Sequence, residues 1–244
     1  MNLATLKISN SRIVAFIKSL CPPLLWNFLY KRLIVKKIPN SFAYSPHYSP
    51  WLEKDFQLRV ANIHAFTGLS AEKLYILEYF SKRTFNLNGS LAELGVWKGG
   101  GAKFIADIFR RDSVSNKNFF LFDSFEGMKK VDCEKDRHQV GDFSDTSCER
   151  VEHLLASGNT NVKIIIKKGW IPDTFSGLEN ESFSFVHVDL DLYDPIKNTL
   201  DFIYPRLVSG GVIVFDDYGF ASCPGAKKAV DNFSLSVGEN IFVL

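Results

Sequence analysis

Nowhere in the 244 residues is there an apolar run of the ~18–20 residues needed to span a bilayer. The two longest apolar stretches, 13–17 and 24–35, are interrupted by Lys18, by Pro22 and Pro23, and by Asn27, so neither an export leader nor a membrane span is expected. The four cysteines (Cys21, Cys133, Cys148 and Cys223) form no CxxC pair and no dense framework, which excludes a disulfide scaffold and fits a reducing cytoplasm. A GxGxxG dinucleotide fingerprint and a GKS/T phosphate loop are both missing. No Ser/His/Asp or Cys/His arrangement supports a covalent nucleophile.

Acids are missing from one region only. Residues 1–40 carry seven bases (Lys7, Arg12, Lys18, Lys31, Arg32, Lys36, Lys37) and no Asp or Glu, while the rest holds all 27 acids against 22 bases. An acidic body of this kind is no nucleic-acid binder. The plainer expectation for the basic N-terminal segment is helices that pack on the main domain or on a second copy of the chain in a homo-oligomer. A peripheral membrane contact through residues 1–36 is the alternative, because an acid-free amphipathic segment carrying Trp26, Phe28 and Tyr30 can lie on an anionic leaflet.

Residues 36–56, with three prolines and three serines, read as an irregular connection. A helix is expected over 69–80 from the spacing of Leu69, Leu74, Leu77 and Phe80, with Ser70 as N-cap. Beyond it short apolar segments at 90–95, 118–123, 162–167, 183–189 and 211–216 read as strands, and 102–111, 146–157, 195–207 and 225–233 read as helices, with Pro195 opening its helix. Strict alternation predicts an α/β fold: a doubly wound, mostly parallel sheet with helices on both faces. The expected organisation is a basic helical and irregular extension over 1–60 and a main domain over 61–244. Within that domain the mostly charged stretch 127–146 is long enough to be a lid.

In such sheets ligands bind at the carboxyl ends of the strands, and here acids and glycines gather there. The first strand runs into Glu93, Gly95, Val96, Trp97 and Gly99–Gly101, glycines that permit close backbone approach ahead of a helix N-terminus. The second ends in Asp123, where doubly wound folds place an acid that binds ribose hydroxyls, or where an Asp can simply cap the turn to Gly127. The fourth ends in Asp189 and Asp191, which in an extended segment face the same side, and the fifth ends in Asp216 and Asp217. Four carboxylates at one sheet edge repel one another unless a divalent cation joins them, and all-oxygen ligation favours magnesium. His187 reads as a satisfied core residue rather than a catalyst, and His138 as a solvated loop residue, with reach from the lid to a substrate as the alternative.

The motifs ELGVWKGG (93–100), FDSFEGM (122–128), GWIPDTF (169–175), HVDLDLY (187–193), YPRLVSGGVIVFDDYG (204–219) and CPGAKKAVDNF (223–233) together resemble the macrocin O-methyltransferase family over about 69–233. Its members are class I, S-adenosylmethionine-dependent enzymes that methylate sugar hydroxyls of macrolides and related natural products, with a Rossmann-like sheet. The resemblance implies that Glu93, Gly95, Val96 and Trp97 contact the methionine end of S-adenosylmethionine and that Asp123 with Ser124 holds its ribose. It places Trp170 and Ser144 near the adenine, assigns magnesium to Asp189, Asp216 and Asp217, and makes Asp191 the general base. The implied acceptor is a small molecule or glycan with vicinal hydroxyls that can chelate the ion. In the family a final strand follows the segment matching 240–244, so a sheet completed differently, or a shortened form, is expected here. Two rivals share the carboxylates: a metal-dependent nucleotide-sugar glycosyltransferase using the DxD, and an inactive truncated module that binds a membrane or partner.

Overall fold

The computed structural model describes residues 49–114, 116–156 and 162–244. The larger part of the N-terminal extension, with its expected helices and its membrane contact through residues 1–36, lies outside them. The chain enters through a 3-10 turn, Pro50–Leu52, followed by α1 (Lys54–Ala61) and α2 (Ala71–Arg83). Then come β1 (Ser90–Leu94), α3 (Gly100–Arg111), β2 (Lys117–Asp123), α4 (Cys148–Ala156), β3 (Val162–Lys168), β4 (Phe183–Val188), α5 (Tyr193–Ile203), β5 (Leu207–Phe215) and α6 (Pro224–Val237). All five strands run parallel in the order β3-β2-β1-β4-β5. This is the doubly wound α/β sheet expected from the alternation.

Each strand is apolar on both faces because both are covered. Leu91, Phe119, Leu121, Phe185, Ile164, Ile166, Val212 and Val214 face the layer of α1–α4. Their neighbours in sequence, Ala92, Leu94, Phe120, Phe122, Val186, Val188, Ile165, Ile213 and Phe215, face α5 and α6. A period of two thus builds two cores from one set of strands, and each fully buried Phe or Leu contributes ~1.5–3 kcal/mol.

Element ends differ from the sequence reading by a few residues throughout, and four of these differences bear on the packing or the site. α1 (Lys54–Ala61) starts inside the irregular connection expected over 36–56 and runs on through residues for which no element was expected, seating Phe56 and Val60 in the first core. α5 starts at Tyr193, so Pro195 is its third residue rather than its first; lacking an N–H, it is still tolerated in the first turn. β5 begins at Leu207 rather than Gly211, because its pairing with β4 jumps from Phe183↔Leu207 to Phe185↔Val212 across a bulge containing Gly210 (φ +80). β4 stops at Val188, one residue short, and this alters the path of the DxD segment. Among the described residues no helix is long and apolar enough to cross a membrane.

Candidate active site at the strand carboxyl ends

The ends of β1, β2, β3 and β4 surround a cavity of ≈ 390 Å³, within the ordinary range for small-ligand sites. Gly95, Trp97, Asp123, Ser124 and Trp170 line one part of it, and Asp189, Asp191 and Asp217 line another. Four residues singled out in the sequence stay off its wall. Glu93 is buried beneath the β1 turn, Val96 is buried beside it, Asp216 is engaged by Lys73, and Ser144 is exposed next to Gly127.

The turn after β1 is shaped by protein atoms more than by room for a ligand. Gly95 (φ +84) sits so close to β4 that a Cβ there would lie 1.7 Å from the carbonyl oxygen of Asp189. A Cβ on Gly101 would lie 2.2 Å from Glu93 Oε1, so α3 can pack down on that carboxylate only through glycine. Glu93 in turn meets His187 Nδ1 at 2.9 Å. Burial raises the Glu93 carboxyl above its ordinary range, and the His187 contact offsets part of that. His187 is therefore a core residue, as expected, although its Nε2 and Glu93 Oε2 have no hydrogen-bond partner.

Asp123 caps the turn, one of the two roles the sequence left open, and keeps room for the other. Its Oδ2 accepts the backbone N–H of Val96 (2.7 Å) and Trp97 (2.8 Å), and its Oδ1 accepts that of Phe125 (2.7 Å), closing the turn toward Gly127. A carboxylate has about four lone-pair positions, so one remains, on Oδ1, for a ligand hydroxyl. Trp97, at φ +46, is held by its indole N–H donating to Asp145 (2.7 Å) and by an edge contact with Phe143.

At the other wall Asp189, Asp216 and Asp217 bring one carboxylate oxygen each to within 4.8 Å of one another. Burial, then the charges of Asp216, Asp217 and Asp191, hold the Asp189 carboxyl well above the usual range. Burial and the Asp191 charge push Asp217 up to about 7. An all-oxygen donor set in which Asp189 and Asp217 resist ionisation fits a hard divalent cation such as magnesium. Asp191 stands apart from this trio. The expectation that an extended segment aligns it with Asp189 does not hold, since the strand has ended and Asp191 is left-handed (φ +59). Its backbone N–H donates to Asp217 (2.9 Å), which turns its carboxylate to the cavity by another route.

Three contributors escaped the sequence reading. Lys73 of α2 donates to the carboxylate and to the carbonyl oxygen of Asp216, the latter at 3.2 Å. His138 is no solvated loop residue: it lines the cavity, with Nε2 3.3 Å from Asp191 Oδ1. Asp136 is buried and accepts the N–H of Tyr193 (3.1 Å), capping α5 from the 127–146 loop. That loop contains no helix or strand, and its ends pair through Met128 N–H to Asp142 O (2.9 Å) and Gly141 N–H to Met128 O (2.8 Å). The signal for His138 and Asp136 was their place in a charged loop opposite the acidic strand ends; for Lys73 there was none beyond its charge.

The family model described as macrocin O-methyltransferase matches residues 64–238. An 8-demethyl-8-(2,3-dimethoxy-alpha-L-rhamnosyl)-tetracenomycin-C 4'-O-methyltransferase of Streptomyces olivaceus is 28% identical over 173 residues, 67% of this chain and 66% of that protein. A mycinamicin III 3''-O-methyltransferase of Micromonospora griseorubida is 30% identical over 155 residues, 59% of this chain and 60% of that protein. The solved structure of the O-methyltransferase NovP superposes with a TM-score of 0.64 at 26% identity, covering 71% of this chain and 75% of that one. The chain spans about three fifths to two thirds of the length of the curated relatives it matches.

Proposed function

The chain belongs to the macrocin O-methyltransferase family, and from that premise we propose that it transfers the methyl group of S-adenosylmethionine to a sugar hydroxyl, with magnesium at Asp189, Asp216 and Asp217 and Asp191 as general base. The observation that carries this reading is that one cavity is walled on one side by Gly95, Trp97, Asp123 and Trp170 and on the other by Asp189, Asp191 and Asp217. A donor site and an acidic acceptor site thus face each other across one small space. Relatives whose names place a methyl group on a rhamnosyl tetracenomycin and on mycinamicin III support an acceptor of that kind.

When bound, S-adenosylmethionine supplies an electrophilic methyl on a sulfonium, and magnesium lowers the pKa of a coordinated hydroxyl. The chain's own residues do the rest. Asp123 takes one ribose hydroxyl on Oδ1, while the indoles of Trp97 and Trp170, with Phe143, wall the cavity against water. Asp191, fixed through its N–H on Asp217, presents a carboxylate oxygen to accept the proton of the attacking hydroxyl. In-line displacement then depends on positioning, and two adjacent acceptor hydroxyls provide it best by engaging the same trio of carboxylates.

The test is calorimetric titration of S-adenosylhomocysteine and, separately, of magnesium chloride into the full chain and into Asp189→Ala. The expected result is micromolar S-adenosylhomocysteine binding in both proteins and magnesium binding in the wild type alone. Absence of S-adenosylhomocysteine binding overturns the reading, and a UDP- or GDP-sugar binding in its place favours glycosyl transfer. An acceptor methylated at full rate without any divalent ion removes magnesium from the mechanism.

A further inference from the structure

The carboxylate of Asp191 meets two side chains that the methyl-transfer reading leaves without a task. His138 comes from the 127–146 loop, Asp191 from the segment after β4, and Cys223 from the N-cap of α6. His138 Nε2 lies 3.3 Å from Asp191 Oδ1, Cys223 Sγ lies 3.5 Å from His138 Nε2, and Cys223 Sγ lies 3.2 Å from Asp191 Oδ1. We propose that His138, Asp191 and Cys223 form a second metal site, selective for a zinc-class ion, whose fourth position opens onto the cavity.

The dimensions support it. Tetrahedral zinc with bonds of about 2.3 Å to sulfur, 2.05 Å to nitrogen and 2.0 Å to oxygen spaces its ligand atoms about 3.3 Å apart for N···O and about 3.5 Å apart for S···N and S···O. The side chains therefore need to shift by no more than about 0.3 Å in any separation. The imidazole is also prepared for a metal. Its Nδ1 meets Asp142 Oδ2 at 3.1 Å, so a proton held there leaves the Nε2 lone pair for the metal, and Asp142 is held in turn by the N–H of Gln139 at 3.0 Å. This carboxylate–histidine pairing is the usual support of a metal-bound imidazole.

Donor chemistry separates the two sites. Asp189, Asp216 and Asp217 offer only oxygen and suit magnesium, whereas imidazole with thiolate selects a softer ion. The Cys223 thiol releases its proton to solvent as the sulfur–metal bond forms, and imidazole, carboxylate and thiolate together neutralise a dication. All three side chains line the cavity, so three protein ligands leave one position for water or ligand. Resting on the proposed role of Asp191, occupancy takes away the lone pair that accepts the acceptor's proton, so zinc arrests turnover while magnesium sustains it.

Cobalt(II) titration of the metal-free full chain tests the site without any assay of activity. Expected are one equivalent of tetrahedral d–d absorption with a thiolate-to-cobalt charge-transfer band, both abolished by one equivalent of zinc chloride. Cys223→Ser removes the charge-transfer band, Asp142→Asn weakens cobalt binding about 10–100-fold, and Asp189→Asn leaves the band intact. His138→Ala, which leaves the loop's backbone hydrogen bonds in place, weakens cobalt at least 100-fold and carries the test if the buried Cys223 variant fails to fold. A wild type without the charge-transfer band, or a band unchanged in both His138→Ala and Asp142→Asn, overturns the proposal. Neither result bears on S-adenosylhomocysteine binding, so the two readings fail separately.

Discussion

Lys73 and Asp216, 143 residues apart in sequence, are joined by two hydrogen bonds that carry a cation from α2 onto one of the three carboxylates proposed for magnesium. The ammonium also lies 4.1 Å from the ring centroid of Phe220, so it is held in place from two sides. In the absence of a divalent ion Lys73 is the counter-charge of an otherwise acidic cluster.

A dication entering that cluster meets Lys73 as a like charge. Lys73→Met keeps most of the stem and removes the charge, and is expected to tighten magnesium about tenfold, or ~1.4 kcal/mol, while lowering the melting temperature of the metal-free protein. Calorimetry of magnesium binding and a melting curve without divalent ions check both halves. Weaker magnesium binding in Lys73→Met would show instead that Lys73 positions Asp216 for the ion.

Asp217 gives stability a pH dependence of definite sign. Its carboxyl is pushed up to about 7 by burial and by Asp191, against an ordinary 3.8, so between these values the native state keeps a proton that the unfolded chain has released. The contribution is complete below about pH 4 and lost as pH rises through about 7. Without divalent ions, the melting temperature of the wild type is expected to fall relative to that of Asp217→Asn between about pH 4 and 7 and to level off above that, and magnesium is expected to flatten the difference. Parallel curves for the two proteins would contradict it.

Gly95 and Gly141 share a left-handed backbone, at φ +84 and +94, but differ in surroundings. A methyl group at 95 collides with the Asp189 carbonyl, whereas nothing lies within 4 Å of one at 141. Gly95→Ala is therefore expected to cost about 3–5 kcal/mol in urea unfolding, and Gly141→Ala only ~1–2 kcal/mol of backbone strain. Equal losses would mean that strand β4 yields at Asp189.

The fold was legible because its information is local. Runs such as FFLF and KIII with flanking polar turns announce covered parallel strands, and Ser70 ahead of Leu74 and Leu77 announces α2; its Oγ accepts the Lys73 N–H at 3.4 Å. The helix α1 was hidden because KDFQLRVA buries only Phe56 and Val60 and follows a proline-rich stretch. The acidic strand ends were also readable, since parallel topology fixes which end of each strand holds a site. What the sequence could not convey was pairing across distance. Lys73 reads as one more charge on an amphipathic helix, and His138 as one more polar residue in a charged loop. Asp191 reaches the cavity by a backbone turn that an extended reading of DLDLY does not contain.

The 127–146 loop is stapled at several points: Asp136 beneath the start of α5, Phe143 and Asp145 on Trp97, and its own two ends to each other. For protein engineering it is therefore part of the chassis, and swapping it whole would uncap a helix and unseat the indole at once. Residues 139–141 are exposed, and a Cβ added at Gly141 would meet nothing within 4 Å. Side-chain changes at Val140, 68% exposed, leave the Gly141 N–H on Met128 in place, and are where a label or an altered acceptor contact can be added with the smallest disturbance to the cavity below.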